Sequence, residues 1–395
     1  LMTMRYPFSK RVNHFVPPKQ WASMRVAKEV EKNTGKRVIH FEKGDYQGPD
    51  FITPDFMIEE TTRALKEGYV RYEPGPGLSE LREVIAEEMT RRGRKTSADE
   101  VIVTAGAKQS LNMTLLTFLE DGDEVIFPNP GYPPDEVWAK YAGAHIRHTP
   151  LTKPDWQFDV GKLEHMITPK TKLLIINTPQ RPNGHLVENP EEIAEMCFRH
   201  KQLMVISDEI FSHIVYDGKR HISISSVPGM EQRTIVIDTF SKTYAMTGWR
   251  IGWTVAPRPV IDKLSIFLQD TITNVAAFIQ RAAYAAMTGP HEWVEEKRKL
   301  LQKKRDMMVA GLNSIPGIKC DTPSGAFYAF PDITGTGLTS QEFTNSLIED
   351  SGVAVVAGTA FGTQGEGYVR VTYATSDEDI EEGIKRMKSA RLKAA

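Results

Sequence analysis

The stretch TFSKTYAMTGWR, residues 239–250, follows a short apolar run, residues 234–237, that predicts a buried strand. It places Lys242 directly after that strand, among hydroxyl side chains, with Arg250 eight residues further along. The amine of such a lysine can form a Schiff base, while hydroxyls and a guanidinium can hold a phosphate. The stretch therefore predicts a site for a phosphate-bearing aldehyde cofactor. A surface lysine in a loop is the alternative, and the rest of the chain has to decide.

The composition is that of an ordinary globular protein. The chain has 395 residues, a net charge of −2 and 40% hydrophobic residues, so we expect two or three domain-sized units. Balanced charge argues against a nucleic-acid partner, and no apolar run is long enough to span a membrane. The first ten residues lack a secretion signal, and Cys197 and Cys320 make neither a disulfide framework nor a metal cluster. We predict a cytoplasmic metabolic protein without a metal or a membrane partner.

Apolar strands alternate with helices and glycine turns along most of the chain, which predicts a mostly parallel α/β sheet. Strands are predicted at residues 101–104, 124–128, 173–177, 204–207 and 251–255. After the first of them, Gly106 makes a tight turn into a helix over residues 107–119. Free N–H groups and the helix dipole there favour an anion.

Three further side chains stand where a ligand would be bound. Tyr132 follows a strand and can stack on an aromatic ring. Asp208 ends a buried strand, at the edge where open α/β sheets bind ligands. Arg370 lies in an apolar strand, which is costly unless the guanidinium meets an anion; a buried ion pair is the alternative to a ligand.

The lysine stretch and the GYVR strand at residues 367–370 resemble the class I/II aminotransferases, which are fold type I pyridoxal-phosphate enzymes. Matching motifs run from about residue 41 to 387 in the family's order. The resemblance implies a central sheet of roughly seven strands sandwiched by helices in a large domain, residues 46–290. A smaller α+β domain would combine residues 1–45 and 291–395. It also implies a homodimer with shared active sites.

The resemblance further implies pyridoxal 5'-phosphate as the cofactor and Lys242 as the residue that carries it. The cofactor-binding residues it implies are Tyr72 from the neighbouring subunit, Gly106, Ala107, Lys108, Tyr132, Arg181, Asp208, Phe211, Thr239, Ser241, Lys242 and Arg250. Arg370 would bind the substrate α-carboxylate, and Lys108 the distal carboxylate of an acidic substrate. Gly44 begins an altered loop, residues 44–47, at the substrate mouth. A solvated Lys108 and a tolerated surface insertion at Gly44 are the alternatives.

Two departures from the family pattern concern the cofactor's phenolic oxygen. Family members usually have NPTG where this chain has RPNG, residues 181–184, and DExY where it has DEIF, residues 208–211. The missing asparagine and tyrosine normally hydrogen-bond that oxygen. We predict that Arg181 points into the site as a replacement; the alternative is that it faces solvent or the dimer partner.

Three functions remain open at this point. The first is an aminotransferase acting on an amino acid and a 2-oxo acid through Lys242 and an α-carbanion. The second is a pyridoxal-phosphate enzyme of specialised metabolism that carries out elimination, replacement, cyclisation or oxidation. The third is a non-catalytic ligand-binding relative.

Two local predictions concern helices. Ser79 is expected to cap the helix that follows it. Residues 291–313 predict a long helix with apolar positions at seven-residue spacing, and the charged run 295–305 is interpreted as its solvated face.

Overall fold

The computed structural model describes residues 4–392, which form an α/β architecture. The strands are β1 Ile39–His40, β2 Val101–Thr104, β3 Glu124–Asn129, β4 His145–Thr152, β5 Gln157–Phe158, β6 Thr171–Asn177, β7 Met204–Asp208, β8 Thr234–Thr239, β9 Gly252–Val255, β10 Tyr328–Ala329, β11 Val353–Ala354, β12 Val356–Ala357 and β13 Val369–Thr372. The helices are α1 Lys19–Thr34, α2 Asp55–Lys66, α3 Ser79–Arg91, α4 Ala107–Phe118, α5 Val137–Tyr141, α6 Val160–Met166, α7 Pro190–Phe198, α8 Phe240–Thr243, α9 Arg258–Ile272, α10 Ala277–Thr288, α11 Glu292–Asn313, α12 Ser340–Ser351 and α13 Asp377–Ser389.

The central sheet has the strand order β2-β9-β8-β7-β6-β3-β4-β5. Its middle strands pair in parallel, while β9 is antiparallel to both of its neighbours and β5 is antiparallel to β4. This confirms the predicted mostly parallel sheet; the short edge strand β5 brings the strand number to eight rather than about seven. Because β2, β3, β6, β7 and β8 run in the same direction, their carboxyl ends meet at one edge, where open α/β sheets bind ligands.

Both ends of the chain meet in a second, smaller region. Strand β1 pairs in parallel with β11, and β13 lies between β10 and β12 in a three-stranded antiparallel sheet. Ile39 and Phe41 from the N-terminal part share a core cluster with Phe343 and Val371 from the C-terminal part. The domain boundaries near residues 45 and 290 stay a prediction.

Some local predictions were wrong. Leu78 rather than Ser79 is the N-cap of α3, and no side chain caps this helix. The apolar stretch at residues 323–330 also predicts a strand, but only Tyr328–Ala329 forms one. The backbone N–H groups of Gly325 and Ala326 instead donate to the oxygens of Gly184 and Ile214.

The charged run on α11 is not the solvated face that the sequence suggested. Lys297, Lys304 and Arg305 are buried, whereas Lys299 and Lys303 are exposed. Lys304 donates to Asp50 at 3.0 Å and to Asp377 at 2.8 Å, so one buried ammonium ties α11 to a loop and to α13. A buried cation needs such partners, and the partners come from distant parts of the sequence.

No helix among residues 4–392 is long and apolar enough to cross a membrane. The cytoplasmic location stays a prediction.

Candidate active site

Lys242 lies in α8, immediately after β8, with its amine in a largely apolar setting. Its Nζ donates to the backbone oxygen of Gly44 at 2.8 Å and lies 5.0 Å from the ring centre of Phe327. The Lys242 pKa is lowered to about 8, mainly by burial. The charges of three nearby arginines act in the same direction, and Asp45 acts against it. Those arginines are Arg181, Arg370 and Arg250. A lysine with a lowered pKa has more of the unprotonated amine that attacks an aldehyde.

An anion cradle adjoins Lys242. Gly106, at φ 90°, is the N-cap of α4, so the first N–H groups of that helix have no partner within the helix. A Cβ at Gly106 would lie 2.8 Å from Nη2 of Arg250, so only glycine allows this close approach. The hydroxyls of Thr239 and Ser241 are 2.9 Å apart at the end of β8. N–H groups, hydroxyls and a guanidinium together suit a phosphate.

Asp208 ends β7 beside Asn177, which ends β6. Arg181 Nη2 donates to Asp208 Oδ2 at 2.5 Å and to Asp135 Oδ2 at 3.0 Å, and its guanidinium carbon lies 4.5 Å from the ring centre of Tyr132. Burial raises the pKa of Asp208, which Arg181 partly offsets, and burial raises the pKa of Asp135 to about 6. Arg181 thus contacts both Asp208 and Tyr132, the two residues that the sequence predicts to contact the cofactor ring.

Phe211 is fully buried and packs edge-on against Phe327 and Tyr328, with ring centres 5.3 and 5.8 Å apart. Lys242 Nζ lies 5.9 Å from the Phe211 ring centre. Phe211 therefore places an apolar ring where the family pattern has the hydroxyl group of a tyrosine.

Arg370, in β13, is 3% exposed. Its Nη2 donates to the backbone oxygen of Glu42 at 2.6 Å, and its Nε is buried without a hydrogen-bond partner. The guanidinium carbon lies 4.5 Å from the ring centre of Tyr328 and 5.0 Å from that of Phe361. Among residues 4–392 no carboxylate forms an ion pair with it. A buried cation without a counterion has the character of a binding site for an anion.

Lys108 is exposed on the first turn of α4. It borders a cavity of about 630 Å³ beneath the N-terminal segment, which Phe15, Pro18, Trp138 and Phe361 also line. Lys242 does not line this cavity.

Tyr72 is 84% exposed, unlike the buried groups just described. The structure describes one chain, so the predicted reach of Tyr72 to a neighbouring subunit stays a prediction.

Sequence reasoning missed three residues of the site. Tyr46 donates to the backbone oxygen of Lys242, and Lys297 Nζ donates to the same oxygen at 2.7 Å and to Tyr46 Oη at 3.0 Å. Asp135 holds Arg181. Two of the three lay near motifs that the sequence singled out: Asp135 comes three residues after Tyr132, and Tyr46 lies within the altered loop at residues 44–47. Lys297 lay in a charged helical run with no sign of burial.

The side chains fit pyridoxal phosphate when they are considered together. The amine of Lys242 suits its aldehyde, the cradle at Gly106 and Arg250 its phosphate, and Asp208 its ring nitrogen. Tyr132 offers an aromatic face for the ring. The unpartnered Nε of Arg370 leaves a place for a substrate anion beside them.

The family described as "Aminotransferase class I and II" matches residues 36–387. Aromatic-amino-acid aminotransferase 2 of Thermococcus litoralis is 41% identical over 349 residues, 86% of this chain and 88% of that protein. The aspartate aminotransferase of Pyrococcus abyssi is 42% identical over 349 residues, again 86% and 88% of the two chains. Among solved structures, an aspartate aminotransferase from Rhizobium meliloti is similar with a TM-score of 0.92 and 31% identity, covering 98% of this chain and 99% of that chain. The chain therefore belongs to the class I and II aminotransferases, enzymes that use pyridoxal 5'-phosphate.

Proposed function

We propose that the protein transfers an amino group from an acidic amino acid to a 2-oxo acid, with Arg370 binding the α-carboxylate of both. The observation that carries this proposal is the buried guanidinium of Arg370, which has no ion-pair partner among residues 4–392 and keeps one unpartnered donor. A carboxylate accepts two parallel N–H bonds from a guanidinium, so an amino acid or a 2-oxo acid supplies the missing anion.

Bound pyridoxal phosphate supplies an electron sink for the electron pair at the substrate α-carbon. The residues of this chain supply the proton transfer and the orientation. With a pKa near 8, Lys242 Nζ accepts and returns a proton near neutral pH, which suits a group that moves a proton from one carbon to another. Arg370 fixes the carboxylate and thereby the α-carbon in front of that amine.

Two observations support an acidic substrate. Lys108 is an exposed cation on the first turn of α4, two residues after Gly106 of the anion cradle, and it forms no ion pair among the described residues, so it is free to meet a distal carboxylate. The relatives from Pyrococcus abyssi and Rhizobium meliloti are named aspartate aminotransferases. The relative from Thermococcus litoralis is named for aromatic amino acids, which makes aromatic substrates the first alternative to test.

We also propose that two copies share their active sites, with Tyr72 of each chain serving the site of the other. The exposure of Tyr72, at 84%, supports this, because a large aromatic side chain on the surface suits an interface.

A second reaction class is supported by the site around Phe211. Phe211 has no hydroxyl and Arg181 is engaged with Asp208, so the usual tyrosine and asparagine contacts to the phenolic oxygen are both absent. A changed proton balance at the cofactor would favour elimination, replacement, cyclisation or oxidation over amino transfer.

Substrate assays with Arg370 variants test the main proposal. Wild-type protein should convert L-aspartate and 2-oxoglutarate to oxaloacetate and glutamate with equal stoichiometry. Arg370→Ala should weaken apparent amino-acid binding by roughly 2–5 kcal/mol, the cost of truncating one member of a buried charge pair. Arg370→Lys keeps the positive charge but loses the pair of parallel N–H donors. Its amino-acid affinity should lie between those of wild type and Arg370→Ala.

The control is a matched amine that lacks the α-carboxylate, whose weak binding should not change in Arg370→Ala. Equal amino-acid affinity in wild type and Arg370→Ala, with the cofactor bound in both, would contradict the role of Arg370. Ammonia, peroxide or a cyclised product without glutamate would favour the second reaction class.

A further inference from the structure

Arg181 engages the two groups that would receive the cofactor ring. Its guanidinium lies over the Tyr132 ring at 4.5 Å while Nη2 donates to Asp208 at 2.5 Å. A guanidinium stacked on this face and paired with this carboxylate resembles a protonated pyridine ring in two respects: it is planar and it carries a single positive charge. The internal guanidinium and the cofactor ring therefore compete for the same two contacts.

Arg181 has a second carboxylate partner, Asp135, in addition to Asp208. Arg181 Nη2 also donates to Asp135 at 3.0 Å, and the side chain of Asp135 is 13% exposed. Asp135 lies in the short turn of helix after Tyr132, whereas Asp208 ends β7, so the two carboxylates come from different elements. The guanidinium can give up Asp208 and keep a buried counterion.

One donor of Arg181 is unused. Its Nε is buried and has no hydrogen-bond partner among residues 4–392. An unsatisfied buried donor is costly, so the observed position of Arg181 leaves a hydrogen bond unmade that a second position, or a bound ligand, can supply.

We propose that Arg181 is a displaceable internal counterion: it pairs with both Asp208 and Asp135 while the cofactor is absent, and it keeps Asp135 alone when the cofactor ring takes Asp208. The protein thereby keeps its buried carboxylates paired in both states, and cofactor binding is weakened by the ion pair that must be broken. This inference rests on the cofactor and not on which amino acid is the substrate.

The test uses the full-length protein from which the cofactor has been removed, with pyridoxamine 5'-phosphate as the probe because it forms no Schiff base. Arg181→Asn should bind this probe at least about tenfold more tightly than wild type, because the charge-assisted hydrogen bond to Asp208 no longer has to be broken. Arg181→Met, which cannot hydrogen-bond the phenolic oxygen, should show a similar gain; no gain in Arg181→Met would show that the asparagine contact alone causes the tighter binding and would overturn the proposal. Asp135→Asn should bind it more weakly, because the displaced guanidinium loses its second partner. The double variant should behave like Arg181→Asn, since Asp135 matters only while Arg181 is present.

Inorganic phosphate is the control probe, because it occupies only the cradle at Gly106 and Arg250. Its affinity should be the same in wild type and in all of these Arg181 and Asp135 variants, whereas Arg250→Ala should weaken both probes. Binding and melting temperature are read without turnover, so a wrong substrate assignment does not affect the result.

Equal or weaker binding of pyridoxamine phosphate by Arg181→Asn would overturn the proposal, since it would mean that Arg181 stabilises the bound ring. If Arg181→Asn does not fold without cofactor, Asp135→Asn alone decides. Unchanged or tighter binding of the probe by Asp135→Asn would then overturn the proposal as well.

Discussion

Lys108 projects from the first turn of α4 to the rim of a cavity that the N-terminal segment covers. Replacing it with glutamine keeps the length and removes the charge. We expect Lys108→Gln to lower kcat/KM for L-aspartate relative to L-alanine by up to about fivefold, because exposed ion pairs are worth about 0.2–1 kcal/mol.

Lys140→Gln is the matched control. Lys140 lines the same cavity, but its Nζ already forms an ion pair with Glu136 Oε2, at 3.7 Å. It should leave the ratio of the two substrates unchanged. An equal ratio in Lys108→Gln and wild type would remove the argument for an acidic substrate from this residue.

Helix α11 carries a buried lysine whose charge is not neutralised. Lys297 is 7% exposed and donates to Tyr46 and to the backbone of Lys242, and no carboxylate among residues 4–392 pairs with it. Burial, together with the positive charge of Lys242, lowers its pKa to about 7. Between pH 7 and 10.5 the folded protein binds fewer protons than the unfolded chain, so the free energy of unfolding rises with pH there.

Lys297→Met should remove most of this pH dependence. At pH 6 we expect the cofactor-free variant to be more stable than wild type by about 2 kcal/mol. Lowering the Lys297 pKa from 10.5 to about 7 corresponds to about 5 kcal/mol, at about 1.4 kcal/mol per unit. The two hydrogen bonds that methionine cannot make, at about 1–1.5 kcal/mol each, offset part of that gain. At pH 10 the difference should vanish or reverse, because the neutral amine still makes two hydrogen bonds. Denaturant unfolding at both pH values measures this.

Lys299→Met, on the exposed side of the same helix, is the control and should leave stability unchanged at both pH values. Equal destabilisation of Lys297→Met at pH 6 and pH 10 would show that the hydrogen bonds, and not the buried charge, dominate at this position.

The strands and helices show which features of the structure can be predicted from the sequence and which cannot. Strands β3, β6, β7 and β8 were predicted within two residues because each is a continuous apolar run bounded by turns. Asp208 and Lys242 were located with them, since each follows such a run directly. The burial of Lys297 and Lys304 was missed, because their hydrogen-bond partners lie 55 to 254 residues away in the sequence. Similarly, the pairing of Arg181 with Asp135 depends on packing between two loops.

The whole molecule is proposed to work as a dimer in which Tyr72 serves the other subunit's site. Mixed dimers test this directly. Tyr72→Ala and Lys242→Ala proteins should each have little activity, but a mixed dimer contains one site in which both residues are wild type. Unfolding and refolding an equal mixture should therefore restore activity, measured against the two variants refolded separately.

Mixing two Lys242→Ala preparations is the control and should restore nothing. If mixed Tyr72→Ala and Lys242→Ala chains stay as inactive as the separate variants, while native mass spectrometry shows that mixed dimers have formed, Tyr72 does not act across an interface.

The central claim is that Lys242 carries the cofactor, and borohydride trapping followed by peptide mapping tests it most directly. Reduction of the protein loaded with pyridoxal phosphate should place a stable pyridoxyl group on Lys242, and prior addition of L-aspartate should abolish that label. Lys242→Ala should remain folded by circular dichroism and carry no label. A pyridoxyl group on Lys297, the other lysine with a strongly lowered pKa, or on Lys108, with Lys242 unmodified, would contradict the account.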